Sequence, residues 1–259
     1  MLIGKRGVPT TSICKPEADR IEVRGRDLCA DLLGQVTFSQ YYAFLVTGKI
    51  PNADQSFFLD LLLVTIAEHG LVPSVQAARM TYRAAPDALQ GAVAAGVLGC
   101  GSVILGTASA CARALIAARE HVNAGLSPDE AARLVLEAIH AQGEPAPGFG
   151  HPLHRAQDPR AARVLELADE RGVAGIHIDI ARRMTSLVQS LWGRSLPMNA
   201  SMAIAAGLLD VGLPMAFVEG VPILARTAGL LAHLAEEQTK PIGFVMAHHA
   251  EEAVAYDNC

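Results

Sequence analysis

"APGFGHPLHRAQDPRAARVLELA", residues 146–168, is the stretch on which the reading of this chain turns. Gly148 and Gly150 flank Phe149, His151 follows at once, and Asp158-Pro159 opens an apolar periodicity at Ala161, Val164, Leu165 and Ala168. Asp ahead of a Pro at the first helical position is a helix-start signal, so the spacing predicts a helix from 159 onward. Arg155 and Arg160 lie just before and within its first turn, where positive charge opposes the helix macrodipole. A carboxylate partner or an anionic ligand would explain them; a solvated surface is the plainer alternative.

The same kind of punctuation recurs outward from this segment. Ser127-Pro128-Asp129-Glu130 combines an N-cap, a proline at N1 and a capping-box glutamate, which predicts a helix over 128–142. Further helical periodicities fall near 38–47, 54–69, 74–84, 88–99, 103–121, 176–193, 198–211 and 221–237. The run "FFLDLLLVTIAEHG" (57–70) is apolar nearly all round and predicts a central buried helix ended by Gly70. Strand alternation is nearly absent, "IEVRG" (21–25) being the best instance. The expected fold class is all-α. "AQGEPAPGFG" (141–150) concentrates Gly and Pro between two helices and can act as a hinge.

At 259 residues, 51% apolar and 18% charged, the chain can bury a core for one large domain or two unequal ones. A formal net charge of −5 offers no basic surface for nucleic acid. Five cysteines (Cys14, Cys29, Cys100, Cys111, Cys259) form no C-x-x-C pair, and the first residues lack a charged-then-apolar leader pattern, so reduced thiols and a cytoplasmic location are expected. Residues 91–112 carry no charge and are long enough to cross a bilayer. Gly91, Gly96, Gly99, Gly101 and Gly106 interrupt them and no Lys/Arg cluster sets an orientation, so close helix packing is expected in place of a membrane span. Dinucleotide, P-loop, zinc-protease and serine-hydrolase signatures are absent. His151 and His154 stand three apart, but no complete ligand set is spelled out, and no metal is expected.

"GFGHPLHRAQDPRA" (148–161) resembles the G-(F/Y)-G-H-x-x-x-(R/K)-x-x-D-P-R segment of the citrate synthase superfamily. Further likenesses keep the same order: "VRGRDLCADL" (23–32), "SQYYAFLVTGKIPN" (39–52), "AEHG" (67–70), "LPMNASMAIAAGLLDVGLP" (196–214), "ARTAGLLAHLAEE" (225–237) and "PIGFVMAHHAEEAVAY" (241–256). The chain is most similar to short citryl-CoA lyase-like members. The resemblance implies a homodimer, with a large helical domain near 1–110 and 213–259 and a small one near 111–212 in each subunit. It also implies a cleft that handles an oxyacid together with a coenzyme A thioester.

Carried over position by position, the resemblance places His69 as an oxyacid-binding histidine and His151 as the histidine at the reacting oxygen. Arg160 and Arg226 match oxyacid-binding arginines, and Arg155 matches a basic residue on the coenzyme A side. Two family groups are replaced: Ile104 stands where a thioester-polarising histidine belongs, and Ser201, after Asn199 and Ala200, stands where the proton-transferring aspartate belongs. The C-terminal segment 240–259 holds no arginine to lend to a partner subunit. Losing one oxyanion donor costs about 2.7–4 kcal/mol and losing a placed base about 10²–10⁴ in rate, so ordinary citrate synthase turnover is not expected.

What remains is a grip for a small carboxylate bearing an oxygen function, with His151, His69 and Ser201 as candidate catalytic groups and His69, Arg160, Arg226 and Asn199 as candidate substrate contacts. Each has a plainer reading. His69 can cap a helix end, Asn199 and Ser201 can simply start one, His154 can be an ordinary exposed residue, and His233 is read as structural. The leading expectation is a citryl-CoA lyase- or citrate synthase-like enzyme making or breaking a carbon–carbon bond in an acyl-CoA. The alternatives are a non-catalytic paralogue that binds carboxylate or CoA, or a hydrolase of a β-oxygenated acid.

Overall fold

The computed structural model describes residues 9–101 and 105–257, which places Ile104 and Cys259 outside the described residues. Eleven α-helices, one π-helical turn (Leu28–Leu32) and three short strands make up the described secondary structure, in keeping with an all-α class. The chain separates into two compact units, Met1–Phe57 and Phe58–Cys259.

In the first unit, strands β1 (Cys14–Pro16), β2 (Ile21–Val23) and β3 (Arg26–Asp27) form an antiparallel sheet, with Cys14 opposite Val23 and Val23 opposite Arg26. The two-residue β2–β3 turn needs positive φ at both positions, and Arg24 (50°) and Gly25 (80°) supply it. Arg24 then donates from Nε and Nη2 to the Leu45 carbonyl at 2.9 and 2.6 Å, tying the sheet to the last turn of helix α1 (Phe38–Thr47). A reciprocal Thr37–Gln40 capping box starts α1, and Gly48 at φ 75° ends it. Val23, Leu32 and Phe44 fill the core of this unit.

Helix α2 (Ala53–Ala67) leads into the second unit, followed by α3 (Pro73–Ala84), α4 (Leu89–Leu98), α5 (Gly106–Asn123), α6 (Pro128–Ala141), α7 (Pro159–Glu170), α8 (Ile176–Trp192), α9 (Ala200–Asp210), α10 (Met215–Thr239) and α11 (Gly243–Ala253). The central helix is α9, buried continuously from Met202 to Leu208. Its Ala203, Ala205, Ala206 and Gly207 present almost no side-chain bulk, so α5, α7, α8 and α10 can close around it. Helices α3 and α4 pack on one another and on α10 through Val75, Ala78, Ala92, Leu230 and Leu234.

Several expectations shift. The apolar α2 buries Phe58, Leu59 and Leu62 but leaves Val64 78% exposed, so it is a flanking helix and not the central one. An all-round apolar sequence says that a helix can be buried, not on how many sides neighbours reach it. The uncharged run 91–112 divides as expected from the helices near 88–99 and 103–121, α4 stopping at Leu98 and α5 starting at Gly106. Helix α10 begins six residues before the expected 221 and runs through Pro222, and α11 was not among the expected helices. Among the described residues α10 alone is long and apolar enough to cross a membrane, and its Phe217, Val218, Val221, Leu230 and Leu234 are buried in the protein.

Helix α10 approaches the end of α2 backbone to backbone. A Cβ on Gly229 would fall well inside contact distance of the Ala67 carbonyl oxygen and 3.1 Å from the Glu68 carboxylate. Gly→Ala inside a helix ordinarily gains about 1 kcal/mol. Here the sign reverses, and Gly229→Ala is expected to destabilise the fold by about 1–3 kcal/mol in a denaturant titration, as overpacking does. A stabilised variant would contradict this packing.

Candidate active site

His151 is held by a short stretch of strand-like pairing. Phe149 pairs antiparallel with Met198, the Gly150 amide donates to the Pro197 carbonyl at 2.8 Å, and the Asn199 amide donates to the Gly148 carbonyl at 2.9 Å. Gly148 and Gly150 adopt φ of 80° and 88°, and a side chain on Gly148 would strike Cys111 and Met202. The glycines therefore serve a tight fold-back against α5 and α9. Burial pushes the Cys111 thiol up to about 12, leaving it an inert packing group there.

His69 comes from the segment just past α2. Its amide and that of Gly70 both donate to Glu68 Oε1, at 2.8 and 2.5 Å, while Gly70 turns the chain at φ 73°. This brings His69 Nε2 to 3.2 Å from His151 Nε2, across 82 residues of sequence. The tautomers follow from the surroundings. His151 Nδ1 accepts the amide hydrogens of Leu153 and His154 at 3.1 and 3.0 Å, so its ring proton sits on Nε2 and points at His69. His69 Nε2 is then the acceptor. Partial burial, with Arg160 and His154 nearby, holds His69 below the usual imidazole range; burial, His154 and His69 do the same for His151.

His154 departs from its expected exposed setting. It is half-buried, with its ring stacked 4.5 Å from His151 and 5.6 Å from His69. The three imidazoles bring nitrogen atoms within 4.8 Å of one another, close enough to suggest a metal. The proton arrangement of His151 opposes that use: a ligating Nε2 calls for an outward-donating Nδ1–H, whereas this Nδ1 faces two amide donors. The cluster fits hydrogen bonding to a substrate oxygen better than it fits metal ligation.

The arginines behave differently from one another. Arg160 binds Asp158 through Nε at 3.0 Å and Nη2 at 2.8 Å, while Asp158, fully buried, also accepts the Arg160 and Ala200 amides. Burial opposes ionisation of Asp158, yet Arg160 and these amides outweigh it and keep the carboxyl below its ordinary range. The carboxylate partner anticipated for Arg160 is thus its own helix cap. Asp158 was legible only as a helix start. Arg226 is 3% exposed, and its Nε and Nη1 are buried without a hydrogen-bond partner among the described residues. Arg155 is exposed and does not line the cavity described next.

His69, His151, Arg160, Asn199, Ser201 and Arg226 line one cavity of about 1350 Å³, which continues along α5 and α6 past Ala114 and Val135. Asn199 spends both ends of its amide inside the protein, donating to the Gly150 carbonyl at 2.9 Å and accepting from the Ser201 amide at 3.0 Å. It positions the His151 segment and caps α9. Ser201 stands in the first turn of α9 at the cavity wall.

Comparisons with known proteins bear on the family and the fold. The family model described as citrate synthase, C-terminal domain, matches residues 56–243. A Mycobacterium tuberculosis relative grouped with the citrate synthases is 32% identical over 186 residues, covering 70% of this chain and 47% of that protein. The 2-methylcitrate synthase of Shewanella oneidensis is 27% identical over 202 residues, covering 77% and 51%. The chain thus spans about half the length of the curated relatives it matches. The solved citryl-CoA lyase from Hydrogenobacter thermophilus superposes with a TM-score of 0.83 at 28% identity, covering 98% of this chain and 96% of that one.

The depressed imidazoles carry a consequence for stability. Unfolded His69 and His151 take up protons near their ordinary value of about 6.5, whereas the folded rings do so only at lower pH. The folded state is therefore at its full advantage above about pH 6.5 and loses it as the pH falls through the folded values. Denaturant titrations at about pH 7.5 and pH 5.5 should show that loss, and His151→Gln should shrink it. A fold no weaker at the lower pH would contradict these protonation states.

Proposed function

We propose, from the premise that this chain belongs to the citrate synthase family, that it cleaves a citryl-CoA-type thioester into an oxyacid and an acyl-CoA. The observation that carries the proposal is Arg226, a buried guanidinium without a counter-charge among the described residues, at the wall of the cavity that holds the His69–His151 pair. A carboxylate of the substrate supplies the missing charge with two parallel hydrogen bonds. The end-to-end likeness to a citryl-CoA lyase supports cleavage as the direction.

The imidazole pair suits the reacting hydroxyl. The His151–His69 hydrogen bond opens to admit it, and the hydroxyl oxygen accepts from His151 Nε2–H and donates its hydrogen to His69 Nε2. His69 takes that proton, and the O–H electron pair becomes the carbonyl of the oxyacid. The carbon–carbon bond then breaks, with its electrons passing to the thioester enolate. A proton returned to the enolate carbon completes the exchange, so the net change is one proton moved from oxygen to carbon. Ser201 is compatible with this direction. Condensation needs a base strong enough to remove a proton beside the thioester, which a hydroxyl is not, whereas an enolate released by cleavage takes a proton readily. Coenzyme A enters as part of the substrate, and Arg155 is proposed to meet its phosphates from the exposed side.

The full chain incubated with citryl-CoA should release acetyl-CoA and oxaloacetate in equal amounts above the buffer rate. Arg226→Leu should lower kcat/KM by about 30-fold or more, the scale of a lost buried charge contact. Absence of turnover, together with an inert Ile104→His/Ser201→Asp double variant, would remove the lyase reading and leave a binding paralogue.

A further inference from the structure

His69 is the less secured member of the imidazole pair. It follows the last turn of α2, in a segment where Glu68 alone receives the amides of residues 69 and 70. Glu68 is itself a half-exposed side chain at 47%, so something must fix it in turn. Its second oxygen, Oε2, lies 3.0 Å from His233 Nε2 on α10. His233 Nδ1 lies 3.1 Å from Arg79 Nη1. A guanidinium only donates, so His233 Nδ1 accepts, the ring proton sits on Nε2, and that proton is directed to Glu68.

Arg79 cannot easily let go. Only 2% exposed on α3, it donates through Nε to Glu237 at 2.5 Å, through Nη1 also to Glu236 at 2.9 Å, and through Nη2 to the Lys240 carbonyl at 3.1 Å. Glu237 is fully buried, and its other oxygen accepts the amides of Ile242 and Gly243 at 2.9 and 2.8 Å, which caps the start of α11. Displacing any member leaves a buried charge or a helix start unsatisfied. Along α10, Arg226, Gly229, His233 and Glu237 recur at three- and four-residue steps, so a single stripe faces the cavity, the α2 terminus, Glu68 and Arg79 in succession.

We propose that His233 and Glu68 are positioning residues for His69, anchored by Arg79 and Glu237, so that α3, α10 and α11 set the orientation of the imidazole that receives the substrate proton. The proposal rests on the reading of His69 as that acceptor. Partial burial works against ionisation of Glu68, but the bonds from His233 and the two amides prevail and keep its carboxyl below the ordinary range, as this role requires.

The full chain, His233→Ala, His233→Gln and Glu68→Gln are compared by imidazole ¹⁵N–¹H spectra, with His69→Gln identifying the His69 signals, and by citryl-CoA cleavage. The unsubstituted protein should show His69 as a single Nδ1–H tautomer. His233→Ala and Glu68→Gln should give mixed tautomers, with kcat lower by about tenfold and KM within about threefold. His233→Gln, which keeps a donor toward Glu68 and an acceptor toward Arg79, should restore most of both. Unchanged His69 signals in folded His233→Ala and Glu68→Gln would overturn the proposal, even if their melting temperatures fell. Should His233→Ala fail to fold, Glu68→Gln decides, since its side chain is half-exposed. If the unsubstituted chain shows no turnover, the lyase reading fails while the spectra still decide the positioning.

Discussion

A buried positive charge without a negative one is the constraint on which this molecule depends. Two arginines bury almost completely in the second unit, and they resolve the problem in opposite ways. Arg79 is surrounded by Glu236, Glu237 and the Lys240 carbonyl, and so closes a structural joint between α3, α10 and α11. Arg226 has no such company among the described residues, with Nε and Nη1 both unsatisfied there. Leaving an ionised group buried and unpaired costs several kcal/mol, and that cost at a cavity wall is what the proposed anion site rests on. Arg160 is already matched by Asp158 and Arg113 on the same wall is exposed, so among the described residues the buried uncompensated charge at the cavity is that of Arg226.

Around that charge the protein arranges protons more than it arranges further charges. The amides of Leu153 and His154 put the His151 proton on Nε2, and Arg79 acting through His233 and Glu68 reaches the amide of His69. The result is one donor and one acceptor facing each other at 3.2 Å, which in the proposed reaction part to admit a hydroxyl without either ring changing its tautomer. Under the proposed cleavage, Ser201 at the position of the family aspartate bears on the carbon end of the reaction, and the two imidazoles serve the oxygen end.

Much of the fold was legible in local signals, because helix starts are written in residues a few positions apart. Ser127-Pro128-Asp129-Glu130 and Asp158-Pro159 predicted α6 and α7 to within about a residue at their starts. Depth and continuity were less legible, as they depend on neighbours: α2 proved less buried than its composition allows, and α10 runs straight through Pro222. His69 and His151 were legible through the family motif alone, since their meeting across the chain is a tertiary fact. No pattern marked His154 as a stacked neighbour of His151, or Asp158 as the partner that neutralises Arg160. An Asp-Pro-Arg triplet at a helix start could have signalled the latter, because a cap at i and an arginine at i+2 share one turn.

Arg226→Leu tests the central claim most directly, by denaturant unfolding with and without oxaloacetate. If the guanidinium is held unpaired for a ligand, the ligand-free variant should be more stable than the unsubstituted protein, and the stabilisation by oxaloacetate seen in the latter should vanish. A ligand-free variant that is less stable, or one that oxaloacetate still stabilises equally, would contradict the claim.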